Sequence, residues 1–175
     1  MIRSYIILLL ITCFTVSCSK KEENNTKLSI TQYQKDSLSF DLPVGWKVKQ
    51  DYTNKTGRYL ELDKYSDYKV KSTLAIGILH DNVISDSVIA SQIRQLQFYY
   101  QKVNFKLLEQ NKKIQLGKYP AIMTSYEADD TKNKVYGKIC VIQNNNKTIS
   151  VQIVDSETKE GLSEYNTIFN TFTIR

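Results

Sequence analysis

The chain has 175 residues and a formal charge of +6, with 24% charged and 41% hydrophobic residues. That balance excludes a multispan membrane protein and a disordered chain, and six Gly with two Pro exclude collagen-like or Gly-rich architecture. The length suits one domain.

Met1-Ile2-Arg3 opens with one positive charge, and Tyr5 to Val16 follows without any. A helix over that stretch rises about 18 Å, short of the ~30 Å hydrocarbon core of a bilayer. A basic start, a short apolar stretch and small residues after it read as a secretory signal over residues 1–17. Its end, Thr15-Val16-Ser17-Cys18, resembles a bacterial lipoprotein signal, in which the cysteine is acylated and becomes the first residue. Thr15 departs from the aliphatic residue usual there, and Cys13, after Thr12, fits less well. The resemblance implies a palmitate-bearing lipid on Cys18 and anchoring to a membrane. Ser19 follows Cys18 where an inner-membrane signal has Asp, which implies an outer-membrane lipoprotein, facing the periplasm or the cell surface. Ser19-Lys20-Lys21-Glu22-Glu23 is loosely similar to the surface-export tag of Bacteroidetes lipoproteins, with the acids one place late. The simpler reading is a flexible tether over residues 18–27. Cys140 is then the one cysteine left for the folded part, an inert buried thiol with no partner for a disulfide.

The folded domain is placed at residues 28–175. Leu38, Phe40 and Leu42 alternate with polar residues, which predicts a strand. Pro43-Val44-Gly45 turns the chain. Trp46 then starts a second strand, which places its indole in the core rather than on a binding surface. Arg58 to Asp63 and the continuously apolar Leu74 to Leu79 predict two more strands, the latter central. Between Val88 and Val103 the period changes. Ile89, Ile93, Leu96, Tyr100 and Val103 form one helical face, with Gln92, Gln95, Gln97 and Gln101 away from it. Ser85 or Asp86 is the expected N-cap. Phe105 to Leu116 reads as strand, with a tight turn at Asn111-Lys112-Lys113. Three strands of a meander follow, Ala121 to Tyr126, Val135 to Gln143 and Thr148 to Val154. Leu162, Tyr165, Ile168 or Phe169, and Phe172 suggest a closing helix. This order predicts an α+β fold, an antiparallel sheet of about six or seven strands with helices packed on it.

Ser39-Phe40-Asp41-Leu42-Pro43-Val44-Gly45-Trp46 resembles the Phe-x-Leu-Pro-x-Gly-Trp opening of PsbP-like domains, a superfamily that includes DcrB-like envelope lipoproteins. Leu116-Gly117-Lys118-Tyr119-Pro120-Ala121 is similar to the family's second turn. The order of elements from Leu28 to Arg175 matches as well. The resemblance implies a PsbP-like α/β/α sandwich. Its motifs are short and structural, so it speaks to fold more than to function.

Residues able to do chemistry are few. His80 is the one histidine, and it stands at the end of a strand beside Asp81, which alternation turns the other way. One histidine and one free cysteine do not make a zinc site. Asp129-Asp130-Thr131-Lys132-Asn133 mixes acids with lysine and reads as a hairpin tip rather than a calcium loop. There is no Gly-rich phosphate loop. The basic residues are 20 Lys and 4 Arg spread along the chain, which argues against a nucleic-acid partner. Asp36-Ser37-Leu38 and Asp86-Ser87-Val88 resemble a bacterial O-glycosylation motif, a pattern that also arises by chance. Tyr59, Tyr65 and Tyr68 stand near Lys64, Lys69 and Lys71. Tyr and basic side chains suit recognition surfaces, which makes these six a candidate binding surface. The sequence therefore points away from catalysis and cofactors. It suggests a non-enzymatic, lipid-anchored protein of the cell envelope, an accessory or binding module for a protein partner there. The alternatives are an immunity protein that neutralises a toxin acting in the periplasm and a carboxylate-based hydrolase.

Overall fold

The computed structural model describes residues 30–174, apart from 102, 131–132, 145 and 156–162. The stretches expected to be a signal and a tether, with Cys18, lie outside the described residues.

The chain runs β1 (Thr31–Lys35), β2 (Leu38–Leu42), β3 (Trp46–Thr53), β4 (Gly57–Ser66), β5 (Lys69–Leu79), α1 (Ser85–Tyr99), β6 (Phe105–Leu116), β7 (Tyr119–Asp130), β8 (Asn133–Asn144), β9 (Lys147–Asp155), α2 (Ser163–Thr171) and β10 (Thr173–Ile174). Seven strands form an antiparallel sheet in the order β3-β4-β5-β9-β8-β7-β6. A smaller sheet has the order β1-β2-β10.

Period-two alternation gives the large sheet two unlike faces. Leu74, Ile76 and Ile78 of β5 share one face with Ile149, Val151 and Ile153 of β9, and all six are buried. Onto this face pack Leu38, Phe40 and Leu42 of the small sheet, with Ile168 and Phe169 of α2 and Phe172 just beyond it. The opposite face meets α1. There Val88, Ile89 and Leu96 pack on Ile139 and Val141 of β8 and on Tyr126 of β7.

The expected α+β fold, an α/β/α sandwich, is therefore corrected to a mostly β fold of two sheets and two helices. Of the described residues 64% are strand and 18% helix. One face of the sheet carries a second sheet plus a short helix, not a helical layer. The physical reason lies in β1 and β10. Thr-Gln-Tyr-Gln-Lys has one aromatic and no apolar alternation, and β10 has two residues. Neither shows as a strand until β2 supplies a pairing edge for both.

Trp46 is buried against Tyr165, ring centroids 5.6 Å apart at 73°. Burial pushes the Tyr165 phenol up to about 12. Gly45 lets the corner form, since its φ of 86° is one that L side chains rarely adopt. Cys140 is buried, as its apolar neighbours imply, and burial pushes its thiol up to about 12. Two local expectations change. The residue capping α1 is Ile84, which makes no side-chain cap bond, while Ser85 is already helical. Asn111 is not in a hairpin turn. It sits at φ 51° within β6, where the register to β7 shifts and Thr124 Oγ1 accepts from its N–H. This is a β-bulge, and β6 continues through it.

An ion pair links the two sheets. Arg58 of β4 donates from Nε to Asp51 Oδ1 and from Nη2 to Asp51 Oδ2, both at 2.9 Å. Its Nη1 donates to the carbonyl of Lys35 in β1 at 3.1 Å. Tyr33 donates to Asp51 and accepts from Arg58 Nη2. Burial opposes ionisation of Asp51, but hydrogen bonds from Arg58, Tyr33 and Lys35 outweigh it and hold the carboxyl well below its usual range. A carboxylate with a lowered folded pKa adds stability that is complete above its unfolded value and is lost as pH falls. Wild-type stability is thus expected to decline as pH drops below about 4. Asp51→Asn should flatten that part of the profile and cost about 3 kcal/mol at neutral pH, read from urea midpoints.

Gly137 of β8 faces Tyr126, its partner on β7. A Cβ there would come within 2.0 Å of the Tyr126 ring. Tyr126 is fully buried and has nowhere to retreat. Gly137→Ala is expected to destabilise by about 2 kcal/mol through overpacking, measured by the same denaturation.

Candidate functional site

The helix-facing side of the sheet is only partly covered. Over the middle of β5 and β9 the residues on this side are Ala75, Gly77, Ser150 and Gln152, which are small or polar. The apolar stripe of α1 is satisfied by β8 and β7, so the helix lies to that side. Its other flank presents Ser87, Ser91 and Gln95, four residues apart and therefore in one row. Between this row and the sheet lies a cleft of about 400 Å³. Tyr59 of β4 closes one wall, and Leu79 and Val83 the end.

The floor of the cleft is an amide and a hydroxyl. Gln92 Nε2 donates to Ser150 Oγ, and Ser150 is buried. Gln92 Oε1 is also buried and has no hydrogen-bond partner among the described residues. Gln152 Nε2 reaches the Tyr126 hydroxyl at 3.4 Å. The side chains lining the cleft are uncharged, and none is a histidine, cysteine or carboxylate. Charge begins at the rim. Tyr59 donates to Glu61 Oε2 at 2.9 Å. Lys49 Nζ holds both Glu61 Oε1 at 2.7 Å and Asp63 Oδ2 at 3.4 Å. Burial and the bond to Glu61 push the Tyr59 phenol up, so it remains a donor. Tyr52 stacks at a tilt on Tyr59, with centroids 5.3 Å apart, and is exposed.

Chemically, the cleft is neutral, with amide and hydroxyl groups over a small-residue floor and an aromatic pair at the lip. A buried acceptor without a donor costs free energy unless something else supplies one.

The six residues of the candidate surface fall in two places. Tyr59 lines the cleft. Tyr65, Tyr68, Lys64 and Lys69 stand at the far end of the β4–β5 hairpin, and Lys71 is nearby on β5. At about 3.3 Å per residue, Tyr59 and Tyr65 are ~20 Å apart along one strand. Lys64 is paired with Glu164 of α2 at 2.7 Å. Lys47 lies over the Tyr65 ring at 5.5 Å. His80 is exposed at the other end of β5, outside the cleft. Asp129 accepts from Asn104 Nδ2 at 2.8 Å, and no cluster of metal-ligating residues occurs among the described residues. Ser87, of the glycosylation-like motif, is on the cleft wall. Sequence reasoning did not single out Gln92, Ser150 or Gln152. The one signal was a run of glutamines on the side of α1 away from its apolar face.

No family model matches this sequence, and no curated protein matches it. Solved structures do. The solution structure of the PsbP protein of the cyanobacterium Synechocystis, CyanoP, aligns at a TM-score of 0.54 with 14% identity, over 85% of this chain and 94% of that one. The fold is PsbP-like. A Bacteroides thetaiotaomicron crystal structure aligns at 0.52 with 7% identity and 82% coverage of this chain. This chain spans about half the length of that protein, 48%. At such identities the likeness concerns the PsbP-like fold alone.

If Gln92 is kept for a ligand, its removal should not harm the fold. Gln92→Leu removes a buried unsatisfied acceptor but also the Nε2 bond to buried Ser150, and the two effects oppose each other, so stability is expected to stay within about 1 kcal/mol of wild type. Thermal and urea denaturation of the variant measure this.

Proposed function

We propose that this chain is a non-catalytic binding module of the cell envelope, held at a membrane by a lipid on Cys18. The observation that carries the binding role is the neutral cleft under α1, with the unpartnered Gln92 carbonyl at its floor. Its occupant is an uncharged segment that donates hydrogen bonds, as the main chain of an envelope partner does. Tyr52 and Tyr59 provide an aromatic lip against which such a segment packs.

The anchoring part of the reading rests on the short apolar stretch before Ser17-Cys18-Ser19. Among the described residues no helix is long and apolar enough to cross a membrane. A lipid with two or more acyl chains gives stable attachment where one chain is marginal.

Two measurements test this function. In cells given labelled palmitate, the full chain is expected to take up label and sediment with membranes, and Cys18→Ala to do neither. A photocrosslinking residue at Ser91 is expected to capture an envelope protein, and Gln92→Leu in the same chain to weaken that capture about tenfold, the worth of one lost hydrogen bond at a buried acceptor. Capture unchanged by Gln92→Leu, or equal from a site on the opposite face, would remove the cleft from the proposal.

A further inference from the structure

The β4–β5 hairpin has a two-residue turn, Asp67-Tyr68, between the paired Ser66 and Lys69. Both turn residues have positive φ, 50° and 62°. This turn type favours Asn-Gly or Asp-Gly, because the second position suits a residue without a Cβ. Here a tyrosine takes it and is fully exposed. A bulky residue in that region is a conformational outlier, and the hairpin would close more easily with glycine. Tyr65 and Val70, a cross-strand pair just behind the turn, are exposed as well. Lys47, Lys64, Lys69 and Lys71 surround them, against Asp67 and Glu164. The tip is thus aromatic at its point and net basic around it.

The position of this tip relative to the N-terminal chain decides what it meets. Thr31 pairs with Leu42, and the corner Pro43-Val44-Gly45 leads to Gly45, whose carbonyl accepts from the Tyr65 N–H at 2.9 Å. One pairing distance plus three Cα steps puts Thr31 within about 17 Å of Gly45. The tether therefore enters the domain at the same end as the tip. Cys18 stands twelve residues before Ile30, a reach of at most about 40 Å. The helix α1 also ends on this side, since it leads from the far end of β5 to the start of β6, and its exposed Phe98 and Tyr99 are there.

We propose that the β4–β5 tip, with Tyr68 at its point and Lys47 and Lys69 beside it, docks on the anionic headgroup layer of the membrane that holds the lipid anchor. This rests on the proposed lipid at Cys18. Tyrosine prefers the boundary between headgroups and hydrocarbon. Lysines near an anionic surface add attraction that depends on salt and on lipid charge. Docking turns the tip toward the bilayer and leaves the cleft beside α1 facing sideways, open to a partner.

The test uses the lipidated protein purified from membranes and reconstituted in protein-free vesicles. Cys140 is buried and inert and Cys18 is acylated, so Val70→Cys and Lys55→Cys each accept one environment-sensitive dye with Tyr68 left in place. Val70 is exposed just behind the turn, and Lys55 lies in the β3–β4 turn at the opposite end. In phosphatidylglycerol-containing vesicles the dye at 70 is expected to shift to the blue and to be quenched by lipids brominated near the headgroup. The dye at 55 is expected to do neither. Lys47→Gln and Lys69→Gln should each lower the docked fraction relative to the free about fivefold, as should vesicles of phosphatidylcholine alone. Equal emission at 70 and 55 in anionic vesicles, with the protein still anchored, overturns the docking and leaves the lipid anchor standing. Absence of palmitate on Cys18 overturns both. Burial of the dye at 70 in native envelope membranes but not in protein-free vesicles assigns the tip to a protein partner and also overturns the docking.

Discussion

A seven-stranded sheet has two faces to cover, and this chain has one helix of fifteen residues for one of them. Strands lie about 4.8 Å apart, so seven span roughly 29 Å, while a helix with its side chains is about 10 to 12 Å across. The helix shelters two or three strands. The remainder must be polar, filled from elsewhere or left as a cleft. The opposite face solves the problem with a second sheet and α2, over a continuous aliphatic surface. The α1 face does not solve it. The apolar stripe of α1 rests on β8 and β7, and the small or polar residues on β5 and β9 leave a gap on the other flank. The cleft follows from that mismatch, and so does its chemistry, because an uncovered sheet face tolerates serine, glutamine and tyrosine better than isoleucine.

The second sheet needs a fastening, since β1 buries little of its own. Arg58 and Asp51 provide it, together with the Tyr33 hydroxyl and the Lys35 carbonyl. Such a buried pair is weak evidence of net stability, because each charge gives up water. Its value here is geometric. The guanidinium fork fixes where β1 lies along β3 and β4, and thereby where the chain from the N-terminus enters the domain. Thr31 lies within about 17 Å of Gly45, so β1 begins at the end of the domain that carries the β4–β5 tip, while the open side of the cleft runs along α1.

Much of the fold was legible in the residues. The strands at Leu38 and Trp46 followed from alternation, that at Leu74 from a continuous apolar run, and both helices from the change to a helical period, while Trp46 and Cys140 were read as buried from their neighbours. Misreadings occurred where local pattern and tertiary pairing disagree. Asn111 with its lysine neighbours has turn chemistry, yet Thr124 across the ladder holds it as a bulge within one strand. Ser85 has the chemistry of a cap, yet the helix begins one residue earlier and buries it. The small sheet was missed because β1 is polar and β10 too short to show a period. The site was less legible still. Tyr59, Gln92 and Ser150 are distributed over ninety-two positions and meet only once β9 pairs with β5 and α1 crosses over them.

By itself the sequence determined the strand faces, the helix period, the turns at Gly45 and Gly117 and the buried state of Trp46 and Cys140. Each depends on neighbours within a few residues, where periodicity and backbone sterics act. Only the tertiary structure decided the strand order, the second sheet and the flank of the sheet on which α1 rests. It likewise separated one row of Tyr and Lys residues into a cleft wall and a hairpin tip. Those outcomes depend on which apolar surface finds which partner, a competition among distant segments that no local pattern records.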